Sequence, residues 1–286
     1  MKVPVSVLIP VKNESSNLEE CINTVLFSDD IVVVDSCSTD GTIGIAEQLG
    51  ARVVQFDWNG RFPKKKNWAL VNVEWKHDWV LILDADERIT PQLAQEVATA
   101  VASDQYNGYY VNRRFMFMGK WLKHCGYYPS WNLRLFRHVT GRYEKLVEIG
   151  DTQSGDNEVH EHVLLQGASG YLKYDMLHYA YPTITSWIEK HNRYSNWEAC
   201  MLLSQTNINE SLKASFFGTQ LERKRQIKLL ARHLPFRPLL RFLYHYLWCM
   251  GVLDGYRGFV FCRLLAWYEF VSIAKSHEMR KMKQGL

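Results

Sequence analysis

Residues 79–87 read Trp79-Val80-Leu81-Ile82-Leu83-Asp84-Ala85-Asp86-Glu87, an apolar run that stops abruptly on carboxylates. An apolar run without alternation fits a strand buried on both faces, as in a parallel sheet. Asp84 and Asp86 are two apart at its end, so their side chains can point to the same side. Two such carboxylates repel, and a divalent cation relieves the repulsion. Hard oxygen ligands of this kind suit Mg²⁺ or Mn²⁺ shared with a diphosphate. Taken alone, a pair of solvated turn residues would look the same, because a helix opens nearby with Thr90 as N-cap and Pro91 at its first position.

The chain before this stretch repeats its logic. Val3 to Val11 is a nearly continuous, valine-rich run and reads as a first buried strand. Ser16 and Glu19 have capping-box spacing, and Leu18, Cys21, Ile22, Val25 and Leu26 share a helical stripe. Ile31 to Val34 is a second strand ending at Asp35. After the polar loop Ser36 to Thr42, a short helix turns Ile43, Ala46 and Leu49 inward and stops at Gly50. Arg52 to Phe56 is a third strand, and a helix around Lys65 to Val73 leads into the fourth. Strand and helix alternate at the spacing of a doubly wound α/β sheet. Ligands in such sheets sit at the carboxyl ends of strands, where this chain places Pro10–Glu14, Asp35–Asp40 and Asp84–Glu87. The sequence holds no GxGxxG and no GxxxxGK[ST], which argues against a dinucleotide oxidoreductase or a P-loop nucleotidase. Residues 10–16 contain no glycine, which argues against a nucleotidyltransferase.

The 286 residues fit one large α/β domain with an appendix, and 47% apolar content builds a core without staples. Six scattered cysteines with no CxxC pair argue against a zinc site and a secreted disulfide framework. The opening Met1 to Ser16 is too short in apolar content for a signal peptide. Net charge is only +4 but unevenly placed: from Glu222 to Arg241 seven Lys or Arg residues face one acid.

Four segments in order, Val7–Glu14, Val32–Thr42, Lys66–Leu70 and Leu83–Glu87, resemble the motif series of family 2 glycosyltransferases, over roughly residues 3–180. The stretches Asn132–Arg137, Val159–Glu161 and Leu253–Gly255 resemble a narrower branch that includes lipopolysaccharide core heptose β-1,4-glucosyltransferases. The resemblance implies a GT-A fold, a Rossmann-like and mostly parallel sheet with helices on both faces. It also implies an inverting transfer from a nucleotide-sugar donor, expected to be a UDP-sugar, to a lipid-linked or lipopolysaccharide-type glycan acceptor. Pro10, Asn13 and Glu14 would line the nucleotide pocket and Asp35 would bond the nucleobase. Lys66 and Asn67 would lie near base and phosphates, Asp84 would reach the ribose, and Asp86 would hold Mg²⁺ or Mn²⁺. His178 matches a histidine that completes the metal shell in related transferases; a packing histidine reads the same. Cys37 stands where many relatives carry glycine or asparagine. Lys64 and Lys65 also read as a solvated basic helix start.

The reaction needs a base for the acceptor hydroxyl, and by the branch motif that base would be Glu161, with His160, Asp156 and Glu158 as neighbours in sequence. Trp121, Tyr127, Tyr128 and Trp131 read either as a sugar-stacking platform or as a small aromatic core. Arg134 and Arg137 read as sharing one face, toward phosphate or an anionic acceptor.

A catalytic domain over 1–182 and a helical region over 183–286 follow. Ile184, Trp187, Ile188, His191 and Tyr194 mark a helical stripe. Phe242–Leu253 and Gly258–Ala274 are apolar yet too interrupted to span a bilayer. Basic residues beside Trp248 and Trp267 suit a helix lying on an anionic membrane surface rather than nucleic acid. The expected location is cytoplasmic, peripheral on the inner face of the cell membrane. A polyprenyl-phosphate glycosyltransferase and a non-catalytic sugar-nucleotide-binding protein are the competing readings.

Overall fold

The computed structural model describes residues 2–103, 105–145, 162–203 and 234–283. These separate into two compact units, one of residues 2–123, 127–145 and 162–182, the other of 124–126, 183–203 and 234–283.

In the first unit the apolar runs are strands β1 (Val3–Val11), β2 (Ser28–Asp35), β3 (Arg52–Gln55) and β4 (Trp79–Ile82). Helices α1 (Leu18–Asn23), α2 (Thr42–Gln48) and α3 (Lys65–Asn72) connect them. Helical crossovers return each strand in the same direction, and the four pair in parallel in the order β3-β2-β1-β4. Then follow β5 (Glu87–Arg88), α4 (Pro91–Val101), β6 (Gly108–Phe117), β7 (Lys120–Trp121) and β8 (Trp131–Arg137). The last strands are β9 (Gly141–Tyr143), β10 (Val163–Leu165), β11 (Ser169–Tyr171) and β12 (Met176–His178). β8 inserts antiparallel between β4 and β6, and the sheet runs on through β12 to β5. The expected α/β architecture is therefore present, its parallel core extended by a mixed flank. Strands β9 and β10 form a separate ribbon.

Period-two alternation divides the core between the two faces of the sheet. Val7, Ile9, Val33 and Leu81 pack with Leu18 and Cys21 of α1 and Leu93 and Val97 of α4. Leu8, Val32, Val34, Val80 and Ile82 pack with Ala69 and Leu70 of α3. Helix α4 starts as expected: Pro91 opens it and the Thr90 hydroxyl accepts the Leu93 N–H at 3.3 Å. The capping box at Ser16 and Glu19 does not form. Helix α1 begins one residue later, and its N-cap Asn17 donates instead to Glu14 Oε2 at 2.8 Å.

In the second unit, α5 (Ile184–Leu203) buries Trp187, His191, Ser195, Glu198 and Ala199. Ile184 and Ile188 are exposed, so the buried stripe lies beside the expected one. A short helix (Arg237–Leu243), a π-turn (Tyr244–Trp248) and a 3-10 turn (Gly251–Asp254) lead into the long helix Gly255–Lys283. A Cβ on Gly258 would come within 2.0 Å of the Gly251 carbonyl oxygen, so only glycine lets this helix start against that turn. Among the described residues, no helix is long and apolar enough to cross a membrane.

Candidate functional site

Parallel pairing brings the carboxyl ends of β1, β2 and β4 to one edge, and the loops there are bonded to each other. Asn13 and Cys37 both adopt left-handed backbone, with φ of 55°. Asn13 N–H donates to Ser38 Oγ at 2.8 Å, and Asn13 Oδ1 accepts the Thr39 N–H at 2.8 Å. Glu14 N–H donates to Thr42 Oγ1 at 2.9 Å. Pro10 lies buried in β1 opposite Val34. Asp35 is fully buried, and its carboxylate accepts the Ser38 N–H at 2.9 Å and the Ser38 hydroxyl. Its visible work is to shape the 36–42 loop.

Helix α3 delivers two lysines to different ends. Lys65 is fully buried and its Nζ donates to the Val11 carbonyl at 2.6 Å, which corrects the reading of Lys65 as a solvated helix start. Burying an ammonium is tolerated only with such a partner. Lys66 Nζ meets Asp84 Oδ1 at 2.9 Å. Both amide atoms of Asn67 bind the backbone of Tyr143, each at 2.8 Å, and so fix β9 against α3.

Asp84 is locked further by Arg134, whose guanidinium reaches Asp84 Oδ2 at 2.6 Å and Glu87 Oε1 at 2.7 Å. Glu87 is fully buried and also accepts the Asp84 N–H at 2.9 Å and Arg113 at 3.4 Å. Burial opposes ionisation of Asp84, but Arg134 and Lys66 outweigh it and hold the carboxyl well below the usual range. Burial likewise works against the Arg134 charge, and Asp84 with Glu87 keeps it protonated. Arg134 and Arg137 do not share a face. Three residues apart on a strand, they point oppositely, and Arg137 lies over the Trp79 ring at 5.0 Å.

Asp86 is set apart from this lock. The antiparallel pairing of β12 with β5 places His178 opposite Glu87, and Tyr179 N–H donates to the Asp86 carbonyl at 2.8 Å. His178 Nε2 then lies 3.5 Å from Asp86 Oδ1. Among the described residues no group of three or more His, Cys, Asp or Glu side chains could hold a metal. A carboxylate oxygen and an imidazole nitrogen at this separation could supply two positions of a divalent metal's shell, and the remaining positions would need oxygens from other groups.

A cavity of about 210 Å³ opens beside Asp84, lined among others by Lys66, Arg113, Arg134, Tyr110, Trp131 and Tyr143. Trp131 reaches it, whereas Trp121 packs edge-on against Tyr128 at 5.0 Å and Tyr127 packs on Phe115 at 5.2 Å. Of these four aromatic residues, Trp131 lines the cavity and the other three pack against neighbouring rings. Glu161, with His160, Glu158 and Asp156, lies outside the described residues. Sequence reasoning gave no role to Glu87, Arg113 or Tyr143. Glu87 stands next to the carboxylate pair, but nothing in the spacing announced Arg113 or Tyr143.

Residues 6–163 match the family model described as Glycosyl transferase family 2. The chain belongs to glycosyl transferase family 2. Among its relatives, an uncharacterized glycosyltransferase of Rickettsia bellii is 39% identical over 39% of this chain and 38% of its own length. The lipopolysaccharide core biosynthesis glycosyltransferase LpsC of Rhizobium meliloti is 29% identical over 99% of this family 2 chain and 95% of its own. A crystal structure of glucosyl-3-phosphoglycerate synthase from Mycobacterium tuberculosis, with Mn²⁺, UDP-glucose and phosphoglyceric acid, is 24% identical with a TM-score of 0.33. That match covers 41% of this chain and 45% of the synthase.

Proposed function

We propose that this family 2 transferase moves a sugar, with inversion, from a uridine diphosphate donor to an acceptor glycan of the cell envelope. The observation that carries this reading is the division of labour at the end of β4. Asp84 is held ionised by Lys66 and Arg134, while Asp86 faces His178. Among the described residues that line the cavity, three cations, Lys66, Arg113 and Arg134, stand against one carboxylate, Asp84. The surplus of positive charge suits an anionic donor.

Each carboxylate oxygen has more than one acceptor site, so Asp84 can keep its cations and still take a ribose hydroxyl. The loops after β1 and β2, carrying Pro10, Asn13, Glu14 and Asp35, would enclose the base. Asp86 and His178 would hold Mg²⁺ or Mn²⁺, which when bound supplies positive charge to the departing diphosphate. In a single displacement the acceptor oxygen bonds to the anomeric carbon as the bond to the diphosphate breaks. Glu161 would take the hydroxyl proton. The near full-length likeness to LpsC supports a lipopolysaccharide-type acceptor. Such an acceptor is lipid-anchored, which favours an enzyme working at the inner membrane face.

The test is incubation with UDP-, GDP- and dTDP-sugars, reading slow hydrolysis of the donor. Hydrolysis confined to one or more UDP-sugars is the expected result. Hydrolysis of a different nucleotide class would overturn the base assignment, and none at all would overturn the enzymatic reading.

A further inference from the structure

The short helix Arg237–Leu243 is amphipathic in the inverted sense. Arg237 and Arg241, one turn apart, both turn toward the protein and close on Glu269 of the long helix, the second at 2.6 Å. Leu239, Leu240 and Leu243 are exposed, and neither this helix nor the π-turn after it buries any residue. A helix at a water surface places charge outward and leucine inward. Here the apolar side faces away from the protein.

The surrounding chain extends this pattern. Phe242, Tyr246 and Phe259 gather into a ring cluster, with centroids 5.1–6.0 Å apart. Phe236, Trp248 and Tyr256 project outward at 78%, 79% and 72% exposure. Thirteen large apolar side chains between Leu234 and Phe259 are exposed, a concentration well beyond the scattered apolar residues of an ordinary surface.

Charge identifies the occupant. Between residues 234 and 263 the sequence has four arginines and one acid, Asp254. Asp254 is only 8% exposed and accepts from His124 N–H at 2.9 Å. Among the described residues Arg237 and Arg241 share one carboxylate, so they too leave net positive charge. A second copy of this chain would bring like charge against like charge. Phospholipid headgroups offer phosphate above an apolar layer, and Trp and Tyr favour that boundary.

We propose that the outer side of residues 234–259 docks into the interfacial layer of a phospholipid bilayer, held chiefly by its inserted apolar side chains. Because its two helix arginines are already paired with Glu269, attachment depends less on ionic attraction than the basic composition suggests.

Flotation of the full chain with phosphatidylcholine vesicles, and with vesicles containing phosphatidylglycerol, tests this. The expected result is binding to both, largely retained at about 1 M salt, where screening is nearly complete. Leu239→Glu combined with Leu243→Glu should cut the bound fraction at least about tenfold, with an unchanged thermal melt. Trp248→Ser, at a still more exposed position, gives the same reading should the double variant lower the melt. Binding abolished by salt, no binding to either vesicle, or binding indifferent to all these substitutions would overturn the proposal. So would a dimer by light scattering that the double variant dissociates while flotation is absent.

Discussion

His178 Nε2 stands 3.5 Å from Asp86 Oδ1, on a strand paired with the two residues that follow the carboxylate pair. The two candidate ligands lie 92 residues apart in sequence, and the β5–β12 pairing is what unites them. UDP binding measured by calorimetry should therefore be at least about tenfold tighter with Mn²⁺ than with EDTA, about 1.4 kcal/mol. Asp86→Ala should remove the metal-dependent part, and His178→Ala should weaken it while leaving metal-free binding intact. Equal affinity in EDTA would refute the metal role of both residues.

Arg134→Met should destabilise the first unit by about 2–4 kcal/mol, since it leaves Glu87 buried with weaker partners. The figure is held down because Asp84 is one-third exposed and solvent screens its share. Asp84 has a depressed folded pKa, so its contribution is fully present above the unfolded value near 3.9 and fades as pH falls through the folded one. The variant's deficit, measured by urea unfolding, should therefore be large at pH 7 and smaller in strong acid. A deficit that stays constant with pH would contradict the Asp84 linkage.

The second unit carries a separate acid-sensitive group. His191 is buried, stacks on Trp187 at 3.6 Å, and has its pKa lowered to about 4, chiefly by burial. Its folded value lies below the unfolded one near 6.5, so stability is complete above about 6.5 and falls toward pH 4. The loss over that window is on the order of 3 kcal/mol. His191→Gln, which cannot charge, should flatten this part of the pH profile even if it lowers stability at neutral pH. Identical slopes for both proteins would exclude His191.

The parallel half of the fold was legible because its signals are local. Apolar runs ending at Val11, Asp35 and Leu83 each announce a strand whose carboxyl end faces the site. The partners of those ends were harder to see. Arg134 meets Asp84 and Glu87 only because β8 inserts antiparallel beside β4, and pairing between distant strands leaves no periodic trace. Lys65 and Lys66 are adjacent in sequence, yet one props the end of β1 and the other meets Asp84. Residue type alone does not separate those roles; the direction of each side chain from α3 does. The misreading of Arg137 had a simpler cause, since three-residue spacing shares a face on a helix and not on a strand.

Glu161→Gln addresses the one chemical role that rests on sequence motif alone. In the proposed reaction Asp86 and His178 would assist departure of the nucleoside diphosphate, but attack by a neutral hydroxyl still requires somewhere for its proton to go. Glutamine keeps the size and much of the hydrogen bonding of glutamate and cannot accept that proton. Transfer should fall by about 10²–10⁴-fold, with UDP affinity unchanged. Raising the pH should restore little of it, because the lost group is the proton acceptor itself. Near-normal turnover would move the role to His160 or Asp156. Loss of UDP binding together with turnover would instead make Glu161 part of the donor pocket, leaving the division of labour at Asp84 and Asp86 untouched.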